Sequence, residues 1–127
     1  MKVTAEKNEK IGKLIFASIY PLYLNRLEKN GRTKEELDTV IQWFTGYDQE
    51  ALQTLINEKV TFRTFFEGAT IHPNEHMING VVCGYRIEEI EDEFELYRQS
   101  RRMEKLIDEL AKGRKMEKIL RQEKKYP

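Results

Sequence analysis

GRTKEELDTVIQWFTGYDQEA, residues Gly31 to Ala51, contains a helix start, a helix face and a helix stop in one run. Thr33 stands where an N-cap belongs and Glu36 follows three residues later, so the two can satisfy each other's free amides as a capping box. Leu37, Val40, Ile41 and Phe44 recur at steps of three and four, which places one apolar stripe on one helix face. Gly46 is the residue type that ends a helix in the left-handed conformation, and Asp48 can cap a following helix after a single intervening residue, Tyr47. The reading is helix, TGY, helix, with the two helices leaving the turn at an angle.

Outward from that stretch, the second helix runs from Gln49 to about Glu58 with Leu52, Leu55 and Ile56 on its apolar face. Val60 and Thr61 interrupt it. Thr61 can cap a short helix carrying Phe62, Phe65 and Phe66, rings spaced for core packing, which Gly68 ends. On the N-terminal side, Thr4 to Ala17 predicts a first helix with Ile11, Leu14 and Ile15 on one face. A break falls at Tyr20-Pro21, because the residue before proline avoids the helical region. Pro21 then opens a helix carrying Leu22, Tyr23 and Leu27, which stops at Asn30-Gly31.

Residues Ile71 to Tyr85 admit two readings. Asn79-Gly80 between Met77-Ile78 and Val81-Val82 has the form of a two-residue hairpin turn, a minor element near 78–82. Met77, Ile78, Val81, Val82 and Tyr85 also fit helical spacing, with Asn74 as a cap. An internal match favours the helix: WFTGYDQEAL (Trp43 to Leu52) and VVCGYRIEEI (Val81 to Ile90) align without a gap, predicting helix, CGY, helix for the second copy as well. From Ile87 the pattern is helical almost to the end, with Tyr97, Met103, Leu106, Ile107 and Leu110 on one face. Gly113 breaks it before a last short helix with Met116, Ile119 and Leu120 and a fraying tail, QEKKYP.

The 127 residues form one domain by length, large enough to bury about two-thirds of the surface of the unfolded chain. The fold class is all-α: a compact bundle of six to seven short helices over 1–127, with 113–127 as terminal helix and basic tail. The single cysteine, Cys83, forms no internal disulfide, and MKVTAEKNEK opens no apolar signal core, which together predict a cytoplasmic protein. No apolar run approaches the roughly 20 residues that cross a bilayer. The net charge is +0, yet 87–97 holds six acids and no base, and 98–127 holds eleven bases against five acids. Such adjacent blocks predict self-pairing rather than a polyanion partner.

GRTKEELDTVIQWFTGYDQEALQTLINEKVTFRTFF, NGVVCGYRIEEIED and KLIDELAKGRKMEKIL resemble the corresponding segments of a bacterial family known as a domain of unknown function, number 2200. The resemblance covers nearly the whole chain and implies a mainly helical single domain; it carries no activity and no site residues. Between Glu93 and Arg102 the chain departs from the family pattern, where a proline and a more apolar run are expected.

No pattern here is a catalytic motif. His72 and His76 are four apart, a spacing that suits metal on a helix, but Pro73 between them interrupts it and no third ligand is evident, so no metal or cofactor is expected. Cys83 with His76 lacks an orienting carboxylate, and Gly80 with Gly84 lacks the third glycine of a dinucleotide fingerprint, so no small-molecule ligand is predicted. A helix-turn-helix shape suggests nucleic acid, but Asp48 and Glu50 on one second helix and Glu88, Glu89, Glu91 and Asp92 on the other would bring like charge to phosphate. Trp43, Tyr47, Tyr85 and Arg86 lie at the two Gly-Tyr turns and are residue types that anchor interfaces. The expectation is a non-enzymatic interaction or assembly module with a protein partner or a homo-oligomer, ahead of a nucleic-acid-associated protein or an enzyme of unrecognised type.

Overall fold

A computed structural model describes residues 2–121. Among them are seven α-helices: α1 (Ala5–Gly12), α2 (Phe16–Lys29), α3 (Lys34–Thr45), α4 (Gln49–Asn57), α5 (Phe62–Glu67), α6 (Glu95–Ala111) and α7 (Met116–Ile119). A hairpin of two-residue strands, β1 (Val81–Val82) and β2 (Tyr85–Arg86), lies between α5 and α6, flanked by 3-10 turns at Pro73–Met77, Ile87–Glu89 and Asp92–Phe94. The all-α reading holds. The expected fraying of QEKKYP lies outside the described residues.

The stretch that opened the sequence reading folds as its local chemistry dictates. Thr33 accepts from the Glu36 amide and Glu36 accepts from the Thr33 amide, closing the capping box at the start of α3. Leu37, Val40, Ile41 and Phe44 are buried, Gly46 ends the helix at φ 76°, and the Asp48 carboxylate caps α4 through the Ala51 amide at 2.7 Å. Thr61 caps α5 in the same way. The three phenylalanines of α5 are buried, with Phe65 stacked on Phe16 at 4.1 Å.

Helix α6 is the axis of the fold. It packs against α1, α2, α3, α5, α7 and β1, burying Tyr97, Met103, Leu106, Ile107 and Leu110, the face read from the sequence. It starts at Glu95, after two 3-10 turns, rather than at Ile87 as the sequence pattern predicts. A Schellman cap ends it: the Arg114 amide reaches the Glu109 carbonyl and the Gly113 amide that of Leu110. Between the acidic block and the basic segment Arg98 pairs with Asp92 at 2.6 Å, while Arg101, Arg102 and Arg121 pair with Glu104, Glu75 and Glu109 outside the block.

Two expectations are corrected. The break in the N-terminal helical region falls at Lys13–Ile15, not at Tyr20-Pro21. The Phe16 amide donates to the Val60 carbonyl (2.9 Å) and the Phe62 amide to that of Leu14 (2.8 Å), so this segment pairs with the interruption between α4 and α5. Pro21 lies inside α2. As the sixth residue of α2 it lies past the first turn, where its missing amide removes the bond to the Ala17 carbonyl, and the helix continues through it to Lys29.

The second correction concerns Val81 to Ile90, which is a hairpin rather than helix, CGY, helix. Its turn is Cys83-Gly84 and not Asn79-Gly80. Val82 pairs with Tyr85, and Cys83 and Gly84 both have positive φ, 51° and 80°, the signature of a type I′ turn. The ladder continues through the Ile87 amide to the Gly80 carbonyl, while the Gly80 amide donates to Glu88.

Candidate functional site

The helix break at Lys13–Ile15 shapes the most distinctive surface feature. Because α2 restarts at Phe16, it buries Phe16, Tyr20 and Leu27 and turns Ile19, Leu22, Tyr23 and Arg26 toward its outer side. Ile11 and Leu14 from the end of α1, Phe62 from α5, and Ser100, Arg101 and Glu104 from α6 complete a groove of about 320 Å³. Leu14 is 42% exposed and Leu22 61%. Among the described residues only Met77 and Val81 are other large apolar side chains exposed to a similar degree, so two of four such residues line one groove.

The polar side of the groove is a linked set of charges. Arg101 donates to Glu104 and to the Tyr97 hydroxyl (2.8 Å), and its guanidinium lies 4.8 Å from the Tyr97 ring centroid and 5.5 Å from that of Tyr85. Burial works against its charge, but the hydrogen bond to Tyr97 and the charge of Glu104 outweigh burial and raise its pKa further. Arg26 donates to Asp108, which Lys112 also holds at 3.0 Å. Burial would raise the Asp108 carboxyl, and the hydrogen bonds from Lys112 and Arg26 instead hold it below the ordinary range. The Tyr23 hydroxyl is pushed up by burial and then by Glu104.

Cys83, at the hairpin tip, donates its thiol to Glu104 at 3.0 Å. Burial, then this hydrogen bond and the Glu104 charge, raise the thiol above its ordinary value. A thiol held protonated is a poor nucleophile. The groove has apolar walls with fixed charges on one side.

The four residues singled out at the Gly-Tyr turns do not line this groove; Tyr85 and Arg86 line a separate pocket with Glu89. Trp43 is half-buried and stacks on the His72 ring at 4.1 Å. Tyr47, also half-buried, donates its hydroxyl to the Phe65 carbonyl at 2.6 Å. Tyr85 is buried edge-on against Tyr97, its hydroxyl accepting from Lys7 at 3.0 Å. Arg86 is exposed, with a loose contact to Glu89 at 3.9 Å. The two histidines are not brought together as ligands: Nδ1 of His72 accepts from the Asn74 amide, and Nδ1 of His76 lies 3.0 Å from the Pro73 carbonyl. Among the described residues no group of three His, Cys, Asp or Glu side chains is arranged to hold a metal ion. None of the helices they form is long and apolar enough to cross a membrane.

Residues 10–121 match the family described as "Uncharacterized protein conserved in bacteria (DUF2200)". The chain belongs to that family. The crystal structure of the uncharacterized protein SP1917 is similar to it at a TM-score of 0.82 and 34% sequence identity, over 89% of this chain and 92% of that one. No functionally curated protein matches it.

The residues of the groove escaped the sequence reading of this DUF2200 chain. The sequence places Leu22 on one helix with Tyr23 and Leu27 without separating a buried from an exposed face. The signal that separates the faces is register: Phe16, Tyr20 and Leu27 are separated by four and seven, and Leu22 falls out of step with them. Leu14 was assigned to a helix face that the chain breaks in order to pair with Val60–Phe62.

Proposed function

We propose that this chain is a cytoplasmic, non-enzymatic protein-interaction module that seats a helix of a protein partner in the groove between α2 and α6. The observation that carries the reading is the pair Leu14 and Leu22, exposed on a groove whose other apolar lining is half-buried at Ile19 and Tyr23 and buried at Ile11 and Phe62. Amphipathic helices dock into such grooves through apolar side chains at steps of three and four. The Gly-Tyr turns, with Trp43, Tyr47, Tyr85 and Arg86, are a second candidate surface. The groove is preferred to them because the Tyr85 ring is buried within the fold.

The test is affinity purification from the native cell with wild type, Leu22→Asp and Arg86→Ala. Leu22 is exposed, so Leu22→Asp keeps the melting temperature within a few degrees, while a co-purifying protein seen with wild type and Arg86→Ala disappears. Retention of every co-purifying protein by Leu22→Asp sinks the reading. Loss with Arg86→Ala alone assigns the interaction to the hairpin.

A further inference from the structure

We infer that the groove selects a partner helix whose apolar ridge is flanked by carboxylates, and that Arg26 is the side chain that pairs with them. The inference rests on the interaction reading above and adds the chemistry of the partner. It follows from which charges at the groove face outward. The two carboxylates are recessed: the Asp108 side chain is 13% exposed and that of Glu104 19%. Arg101, the cation on Glu104, is as recessed at 18%, whereas the two cations on Asp108 face outward, the Arg26 side chain 42% and the Lys112 side chain 72% exposed. A helix lying on Leu14 and Leu22 therefore meets the outward-facing guanidinium of Arg26 along its flank.

Arg26 is also free to exchange partners at low cost. Removing the only cation from a recessed carboxylate leaves an uncompensated charge, which is strongly unfavourable. Asp108 is not in that position, because Lys112 holds its second oxygen at 3.0 Å while Arg26 holds the first. An incoming carboxylate can take the guanidinium of Arg26 and leave Asp108 neutralised by Lys112. Arg101 lacks this freedom: its guanidinium is fixed by Glu104, the Tyr97 hydroxyl and two aromatic rings. Of the two arginines lining the groove, Arg26 is thus the one that can discriminate between partners.

The test uses the full chain and three labelled helix-forming peptides with one leucine ridge at helical spacing and flanks of Glu, Gln or Lys, read by fluorescence anisotropy at low salt. The Glu peptide is expected to bind roughly tenfold tighter than the Gln peptide, an advantage that shrinks as salt is added. The Lys peptide binds weakest. Arg26→Ala removes the preference for the Glu peptide over the Gln peptide; Arg26→Glu reverses the order of the Glu and Lys peptides. Leu22→Asp abolishes all binding. Equal binding of the Glu and Gln peptides, still lost in Leu22→Asp, overturns the acidic-partner inference and leaves the interaction reading standing. Failure of all three to bind overturns both. A dimer of the free chain that Leu22→Asp dissociates makes a second copy the occupant and also overturns the inference.

Discussion

Thr45-Gly46-Tyr47 and Cys83-Gly84-Tyr85 share two letters of three, and each glycine sits at positive φ, yet one joins two helices and the other closes a hairpin. The difference lies in what flanks them. Gly46 follows a helix with its own capping box, and its amide closes on the Gln42 carbonyl at 2.8 Å; Asp48, two residues on, caps the next helix. At the other turn Arg86 stands where Asp48 would, with no acceptor to start a helix, and β-branched Val81-Val82 leads into a residue that itself enters the left-handed region. A glycine marks a place where the chain can turn, and the caps on either side decide into what.

The largest effect that would break the comparison is at the glycine of the first turn. A Cβ on Gly46 would sit 3.0 Å from the Thr70 carbonyl oxygen and 3.3 Å from the Thr70 Cβ, at φ 76°. Gly46→Ala is therefore expected to lose about 2–3 kcal/mol in urea unfolding, combining the left-handed penalty with the close approach. Cys83→Asn should move the other way by roughly 0.5 kcal/mol, since Asn-Gly is the preferred type I′ pair. A neutral Gly46→Ala would show that the turn relaxes freely and that the contact with Thr70 is dispensable.

The flanking residues sharpen the point with a smaller effect. Asp48→Ala removes a cap and is expected to lose about 1 kcal/mol, whereas Arg86→Ala, exposed and without a capping role, stays within about 0.5 kcal/mol of wild type. Equal losses at the two positions would mean that the caps do not distinguish the turns.

The same contrast explains how much could be read from the chain alone. Helices α3, α4 and α5 were legible nearly to the residue because Thr33, Glu36, Gly46, Asp48 and Thr61 act on amides at most a few positions away. The buried face of α6 was legible because its apolar residues keep helical spacing through a highly charged helix. The break after α1 was not, because it is made by Leu14–Phe16 pairing with Val60–Phe62, more than forty positions along. The hairpin was missed because the match to the first Gly-Tyr turn outweighed the strand-forming valines. The groove was least legible: Leu14 and Leu22 have the composition of core residues, and only the packing of α1, α2 and α6 leaves them outside.

The smallest effect is in the two turn tyrosines, whose phenols are displaced in opposite directions. Burial raises Tyr47, while the hydrogen bond from Lys7, then that with Tyr97, lowers Tyr85. In the unfolded chain both ionise near about 10. Tyr47 therefore contributes stability that is present below that value and lost as pH rises through its folded pKa, because the folded state keeps the proton longer. Tyr85 has the reverse sign: once pH passes its folded pKa the unfolded chain holds more protons, and stability is gained up to about 10. Tyr20, Tyr23 and Tyr97 are raised like Tyr47, so wild type should lose stability above that pH. Following phenolate absorbance in the folded protein, Tyr85→Phe is expected to remove the earliest-ionising component and Tyr47→Phe a late one. Curves in which neither substitution changes the order of ionisation would mean that the two tyrosines share one environment, and the turns would then differ in backbone alone.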